Sequence, residues 1–276
     1  MASQSGLILS TVLSSVVAHP LSQQQLDDSQ SEHSLALTDP EGYADLWESS
    51  DKMLDFYGAL QSDSTVDILT TFRQMLSHDG AIALMSDIMT IGRDKSQLKS
   101  FSRYLINTIL KPSNPGAAAS IAQLAATVQP SDRRLQSTLK SICLKRDGYR
   151  CTFSHVVDRA SSESRLVVLP VGVIATPTQL SHVLPLALRK FDNASPAARD
   201  AVAGVWYALY RYFPELEGKI GPDNLNQYEN LITFESTVHE LYDSHRLAFD
   251  PIQNRVSHLC EYHTLYMFRS FSDGCG

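Results

Sequence analysis

The sequence has no excess of basic residues and so lacks the composition of a simple nucleic-acid binder. It contains 23 Lys and Arg against 30 Asp and Glu, which gives a net charge of −7 at pH 7. Electrostatic capture of nucleic acid needs clustered basic side chains that displace counterions from the phosphates. Residues 1–139 hold 9 basic and 15 acidic residues, a net charge of −6, whereas residues 140–276 hold 14 and 15, a net charge of −1. The composition therefore allows a basic surface only as a local patch in the C-terminal half.

Long apolar runs are also missing. No run approaches the roughly 20 apolar residues that a membrane span requires, so no membrane-spanning segment is expected. Residues 6–18 form a short apolar run that ends in small residues, as the core of a signal peptide does, but no Lys or Arg precedes it. We interpret this run as an element packed on the N-terminal domain. The expected location is intracellular, in the cytoplasm or the nucleus, without cleavage of a signal peptide.

Cysteine is scarce. The four cysteines are Cys143, Cys151, Cys260 and Cys275. Their spacing matches no disulfide framework, which indicates a reducing compartment.

The composition otherwise favours a packed core, with 43% hydrophobic and 19% charged residues. A length of 276 residues is enough for one large domain or two small ones. We predict an apolar segment and polar linker over residues 1–41, a helical region over 42–135 and a third domain over 136–276. The stretch from residue 19 to residue 40 is mostly polar and is expected to be an exposed loop.

Apolar residues recur at three- and four-residue steps through residues 42–129, the pattern of amphipathic helices. One helix is predicted from about residue 65 to residue 76. The run His78-Asp79-Gly80 predicts its stop, since glycine is common where helices end. A further alanine-rich helix is predicted over 117–128. Nothing in this region carries recognisable chemistry, and its aromatic and Met positions are interpreted as core.

The C-terminal half alternates helix and strand patterns. A helix over residues 131–146 precedes the β-branched run 167–174, which is expected to be a strand despite Pro170 and Gly172. The other predicted elements are a strand over 178–186, a helix over 195–213, a strand over 230–234, a helix over 237–245 and a closing strand over 247–252.

Three of these elements carry chemically distinctive residues. The first strand contains Ser181-His182-Val183-Leu184-Pro185, the second is Asn230-Leu231-Ile232-Thr233-Phe234, and the helix that follows carries His239-Glu240-Leu241-Tyr242-Asp243. With the upstream run Arg146-Asp147-Gly148-Tyr149-Arg150-Cys151, this order of His, Asn and His resembles the HNH nuclease superfamily. The similarity is greatest to HNH-domain proteins of filamentous fungi and covers roughly residues 140–255. It implies an α+β fold, in which an N-terminal helical region precedes an HNH-like ββα-metal module with a helical insertion.

The resemblance also implies roles for four residues in phosphodiester hydrolysis. His182 would be the general base, because an imidazole with an ordinary pKa of about 6.5 accepts a proton near neutral pH. Asn230 would hold the strands and help to orient His182. His239 would be a ligand of a divalent metal, Mg²⁺ or Mn²⁺, with Zn²⁺ also open. Asp243 shares the helix face of His239 and would be a second ligand or the partner of a His ring N–H.

Three features depart from the family pattern, and the first and third count against activity. Many HNH nucleases have Asp, His or Glu immediately before the base, where this chain has Ser181, a poor cation ligand. Ser154 stands where many HNH proteins have the second Cys of a zinc-binding C-x-x-C pair that would begin at Cys151. The separation of 48 positions from His182 to Asn230 is long and includes the 195–213 helix.

The leading hypothesis is therefore a divalent-metal-dependent nuclease that acts on nucleic acid. One alternative is a degenerate HNH-fold protein recruited to fungal secondary metabolism, either as a tailoring enzyme for a small-molecule substrate or as a scaffold. A pure interaction protein, using the helical region as a partner surface, is a third hypothesis.

Overall fold

The computed structural model describes residues 19–36, 40–58, 63–110, 130–189, 196–244, 246–247, 249–251 and 266–268. The predictions for residues 6–18 and 117–128, and those for Cys260 and Cys275, lie outside these ranges. The described chain is mostly helical and contains two two-stranded sheets, which confirms the α+β class. It divides into two compact units. The first comprises residues 1–113 and 187–225, and the second comprises residues 114–186 and 226–276.

The first unit is helical. Its elements are α1 (Gln23–Ala36), α2 (Pro40–Gly58), α3 (Thr65–Met75), α4 (His78–Ile91), α5 (Lys95–Leu105), a π-helical turn (Ile106–Leu110) and, later in the chain, α8 (Pro196–Tyr212). Helix α4 lies at the centre and contacts α1, α2, α3 and α8. Its residues from Gly80 to Ile88 are all buried, which explains why they are apolar apart from Ser86 and Asp87.

The expectation of an exposed loop over residues 19–40 is wrong between residues 23 and 36, where α1 forms. Leu21, Leu26 and Ser29 are buried, and the Ser29 hydroxyl donates a hydrogen bond to Asp87 at 2.7 Å. Too few apolar residues lie along α1 to give a helical pattern in the sequence. Contacts with α4 therefore stabilise this helix more than its own composition does.

Helix α8 packs with the N-terminal helices, although it lies in the sequence between the two strands of the second unit. Its buried residues are Val205, Trp206, Ala208, Leu209 and Tyr212. The Trp206 indole donates a hydrogen bond to the Leu188 carbonyl at 2.8 Å. Packing thus groups residues 187–225 with the first unit, whereas the predicted domain 136–276 includes them.

A buried carboxylate links α4 to α8. Asp87 is 0% exposed and accepts hydrogen bonds from Arg211 Nε at 2.9 Å and from the Tyr212 hydroxyl at 2.7 Å. It also forms an ion pair with Arg211 Nη2, and the His19 ring hydrogen-bonds to the Tyr212 hydroxyl at 3.0 Å. Burial raises the pKa of Asp87, but hydrogen bonds from His19 and Arg211 outweigh it and hold the pKa at about 2. Asp87 is therefore a fully paired anion inside the first unit.

Helix α4 begins where the sequence predicts a helix stop. The preceding helix ends at Met75, and Ser77 caps α4 by accepting a hydrogen bond from the Gly80 backbone N–H. The predicted helix does end before His78, but Gly80 does not form its C-terminus, because Ser77 supplies a cap that starts a new helix. Gly80 is needed for a different reason. A Cβ at this position would lie 2.1 Å from the Tyr212 carbonyl oxygen.

We expect Gly80→Ala to destabilise the protein by about 1–3 kcal/mol, because the added methyl group meets backbone and not a movable side chain. Helix propensity alone would favour Ala by about 1 kcal/mol, so the sign distinguishes the two effects. Urea denaturation followed by circular dichroism measures the change. Gly58→Ala is the matched control, since the contact that its Cβ would make among the described residues, with Val66 Cγ2 at 3.5 Å, is an ordinary one. Equal stability of the Gly80→Ala variant and the wild type would contradict the close approach.

The second unit is built around a short antiparallel ribbon of two strands. Its elements are α6 (Pro130–Arg146), α7 (Arg159–Glu163), β1 (Thr178–His182), β2 (Leu231–Glu235), α9 (Ser236–Asp243), β3 (Phe249–Pro251) and β4 (Tyr266–Phe268). Strands β1 and β2 form the ribbon, with His182 opposite Leu231 and Thr178 opposite Glu235. A second antiparallel pair joins β3 to β4.

The ribbon is covered on both faces. On one face, Leu180 and Leu231 pack with Leu139 and Cys143 of α6. On the other, Ile232 and Phe234 lie in a cluster whose buried members are Cys151, Phe234, Val238 and Leu247. Since side chains alternate along a strand, each residue of the ribbon is assigned to the α6 side or the α9 side by its register.

Two strand predictions differ from the structure. Residues 167–174 form a loop with a turn closed by the Val173 N–H and the Pro170 carbonyl at 3.1 Å. Pro170 has no N–H for a ladder and Gly172 has a positive φ of 81°, so both residues break the predicted strand. The strand predicted over 178–186 ends at His182. Among the described residues, no helix combines the length and the apolar character needed to cross a membrane.

Candidate functional site

His182 lies at the end of β1, on the ribbon face that packs against α6. Its position opposite Leu231 places both side chains on that face. The Nε2 atom is 3.0 Å from Asn226 Oδ1. Burial lowers the pKa of His182 below its usual 6.5, and the hydrogen bond to Asn226 opposes this only in part. The imidazole is therefore neutral at pH 7, the form that accepts a proton.

Asn226 is a residue of the site that the sequence did not predict. Its Oδ1 atom also lies 3.3 Å from Gln136 Nε2, which comes from α6. The side-chain amide of Asn226 thus connects His182 to the helix behind the ribbon. Asn224 stands two residues earlier and bonds only to local backbone, to the Gly221 N–H and the Lys219 carbonyl. Nothing in the sequence distinguishes these two asparagines, because the partners of Asn226 lie 44 and 90 residues away.

Asn230 ties the start of β2 to the chain that leaves β1. It is 0% exposed, and its Oδ1 accepts from the Leu184 N–H at 2.7 Å while its Nδ2 donates to the Leu184 carbonyl at 2.9 Å. The Asn230 carbonyl accepts from the Val183 N–H at 2.9 Å. These bonds replace ladder bonds beyond His182 and explain why β1 ends there. They hold the backbone on the C-terminal side of the His182 ring.

His239 and Asp243 form a pair on α9. His239 Nδ1 is 3.0 Å from Asp243 Oδ2, and the two side chains are 20% and 30% exposed. Their four-residue spacing places both on one helix face. The carboxylate engages Nδ1, so the Nε2 atom of His239 is the ring nitrogen that the pair leaves for a metal ion.

Ser181, at the position where many HNH nucleases have a metal ligand, is on the opposite ribbon face from His182. It is buried opposite Ile232, whose side chain belongs to the cluster on the α9 side. Of the four predicted residues, only His239 and Asp243 pair with each other. His182 pairs with Asn226 and Asn230 with the Leu184 backbone. Across the described ranges, no group of three or more His, Cys, Asp or Glu side chains is arranged to hold a metal ion.

Three charged side chains fix the position of the ribbon. Asp158 is buried and accepts hydrogen bonds from Ser161 and Thr178; burial raises its pKa, but these bonds outweigh it and lower the pKa below 3.8. Arg146 donates to the carbonyls of Tyr228 at 2.8 Å and Leu231 at 2.9 Å. Lys140 Nζ donates to the Thr178 carbonyl at 2.6 Å. Both ends of the ribbon are thus anchored to α6 and α7.

Cys151 is buried, with a free thiol, in the apolar cluster on the α9 side. The Ser154 backbone N–H donates to its sulfur at 3.3 Å, so the C-x-x-S segment forms a tight turn. The thiol packs here as a small apolar group.

Comparison with known proteins gives a family match that covers residues 151–250. No curated protein and no solved structure gives a significant match to the chain. A family model does match, and its match spans the ribbon, α9 and the intervening insertion. Residues 151–250, which include His182, Asn230, His239 and Asp243, match the model of the HNH endonuclease family.

Proposed function

We propose that the protein is a divalent-metal-dependent nuclease that hydrolyses phosphodiester bonds, with His182 as the general base. The observation that carries the proposal is a neutral, hydrogen-bonded imidazole at the end of β1, inside the segment that matches the HNH endonuclease family. At the family level that match indicates a nuclease-type function. The proposed roles of individual residues follow from the side chains around His182 and His239.

His182 would take a proton from the attacking water. A base works best when its pKa lies near the working pH and its protonation state is the accepting one, and burial keeps His182 neutral. Asn230 would hold the turn after β1, because its two bonds to Leu184 fix the backbone that follows the ring. The base would therefore be presented by a rigid strand end.

His239 would bind the metal through Nε2, with Asp243 accepting the Nδ1–H and so fixing the ring orientation. The pair would offer a metal one imidazole nitrogen, whereas Mg²⁺ and Mn²⁺ prefer oxygen ligands, so water and substrate phosphate would have to complete the site. It does not fit a closed structural zinc site, which needs four protein ligands. When bound, the ion would neutralise charge on the phosphate and on the departing oxygen.

The second candidate is a degenerate HNH-fold protein that acts on a small molecule or serves as a scaffold. The position of Ser181 favours it, because this residue is buried on the ribbon face opposite His182 and offers a metal only a hydroxyl. The chain would then retain the fold without the hydrolytic reaction.

Incubation of the purified full chain with plasmid DNA and with RNA, in Mg²⁺, Mn²⁺ or EDTA, separates the two candidates. Cleavage with either metal and none in EDTA is the expected result. In His239→Ala we expect cleavage to fall at least about 10-fold, and Asp243→Asn should weaken Mn²⁺ binding about 10–100-fold in calorimetry. His155→Asn is the matched control, because His155 is an exposed imidazole of the same unit and Asn tolerates its positive φ of 58°.

Intact DNA and RNA under all conditions would contradict the nuclease and favour the degenerate protein. Cleavage that survives both His239→Ala and EDTA would contradict the metal assignment alone.

A further inference from the structure

The oxygen of the Asn226 amide lies between two nitrogens. It is 3.0 Å from His182 Nε2 and 3.3 Å from Gln136 Nε2. An amide oxygen only accepts hydrogen bonds and has two lone pairs, and the amide nitrogen of Gln136 only donates. Because the Asn226 oxygen can only accept, the His182 nitrogen that faces it must donate. Nε2 of the neutral ring therefore carries the hydrogen, and the free lone pair of the imidazole is on Nδ1.

We propose that Asn226 is a positioning residue that fixes His182 as its Nε2–H tautomer and so makes Nδ1 the atom that accepts the proton from water. This role rests on the proposed nuclease function, whereas the tautomer itself does not. Gln136 acts through Asn226, because its N–H₂ group holds the amide oxygen towards the ring. An imidazole used as a base needs such a partner on its other nitrogen, since the partner decides which nitrogen is basic.

The opposite arrangement makes a different prediction. If both side-chain amides were turned over, the Asn226 N–H₂ group would donate to His182 Nε2 and the ring would carry its hydrogen on Nδ1. The basic atom would then be the nitrogen already engaged by Asn226. A measurement of the tautomer therefore decides between the two arrangements without reference to activity.

The position of Asn226 in the chain connects this role to the long insertion. Residues 187–225 belong to the first unit, and Asn226 is the first residue of the segment that returns to the second unit. Leu225, the residue before it, is buried, 3% exposed. The insertion that separates His182 from Asn230 thus ends on the residue that orients the base.

The test uses the full chain with ¹⁵N-labelled His rings and reads the His182 tautomer by long-range ¹H–¹⁵N NMR, with His182→Gln identifying the signal. We expect the Nε2–H form in the wild type, a mixture of tautomers in Asn226→Leu, and recovery of the Nε2–H form in Asn226→Asp, which keeps an acceptor oxygen. Cleavage kinetics on the same proteins should show a fall of about 10–100-fold in kcat for Asn226→Leu, with KM unchanged and most of the loss recovered in Asn226→Asp. Gln179→Leu is the matched control, because Gln179 lies on β1 but on the other face and bonds to Ser236.

The two levels of the proposal fail separately. An Nδ1–H ring in the wild type, or an unchanged tautomer and kcat in a folded Asn226→Leu variant, would overturn the role of Asn226 and leave the nuclease untouched. An active His182→Gln variant would overturn the role of His182 as the general base and with it the catalytic use of Asn226, while the tautomer assignment would still be read from the wild-type spectrum.

Discussion

Alanine at position 182 is expected to lower the rate of phosphodiester cleavage by at least about 100-fold, because a general base contributes roughly 10²–10⁴-fold. The His182 ring is the neutral imidazole held at the end of β1, and Ala provides no proton acceptor there. The rate should fall with little change in KM, since the imidazole acts on water and not on substrate binding. Initial rates on a linear DNA substrate at saturating Mn²⁺ measure the effect.

The pH dependence of the cleavage rate is a second test of His182 as the general base. Burial lowers the pKa of His182 below 6.5, so the acid limb of the wild-type profile should have its midpoint below pH 6.5. Below that midpoint the imidazolium forms and cannot accept a proton, and the rate falls as the pH falls. His78→Ala is the control, because His78 is an exposed imidazole of the first unit. A folded His182→Ala protein with wild-type rates would remove His182 from the reaction.

Asp87→Ala is expected to destabilise the first unit by about 3–5 kcal/mol, the range seen when one partner of a buried ion pair is removed. The substitution leaves the Arg211 guanidinium, 5% exposed, without its carboxylate, and it removes the acceptor of the Ser29 and Tyr212 hydroxyls. Urea denaturation followed by far-ultraviolet circular dichroism and by tryptophan fluorescence measures the loss.

The matched control for Asp87 is Glu48→Ala, whose ion pair with Lys52 is exposed on both sides and should contribute under about 1 kcal/mol. The double variant Asp87→Leu with Arg211→Met should recover part of the stability, because apolar side chains of similar volume often replace a buried ion pair without cost. Equal effects of Asp87→Ala and Glu48→Ala would show that the buried pair does not stabilise the unit.

Local patterns in the sequence predicted the class of fold and most of the helices. Periodic apolar residues located α3, α6 and α8 within a few residues of their bounds, since each buries one face. The order of His182, Asn230 and His239 predicted a segment that the family comparison supports. Their individual roles stay predictions.

The features that the sequence did not predict depend on contacts between distant residues. Helix α1 has few apolar residues, so its sequence shows no helical periodicity. Contacts with α4 hold it in place. The apolar run 167–174 looks like a strand, yet Pro170 and Gly172 turn it into an exposed loop. Asn226 and Gln136 form their hydrogen bond because α6 packs behind the ribbon. The two residues are 90 positions apart, so no local spacing predicts this contact.

The late position of α8 in the chain has a consequence during synthesis. Arg211 follows Asp87 by 124 residues, which a ribosome adds in roughly 6–25 s at about 5–20 residues per second. During that interval the carboxylate has no guanidinium partner, and the part of α4 that α8 covers in the finished unit is exposed to the cell. The N-terminal helices therefore reach their final packing only after the strand that bears His182 has been made.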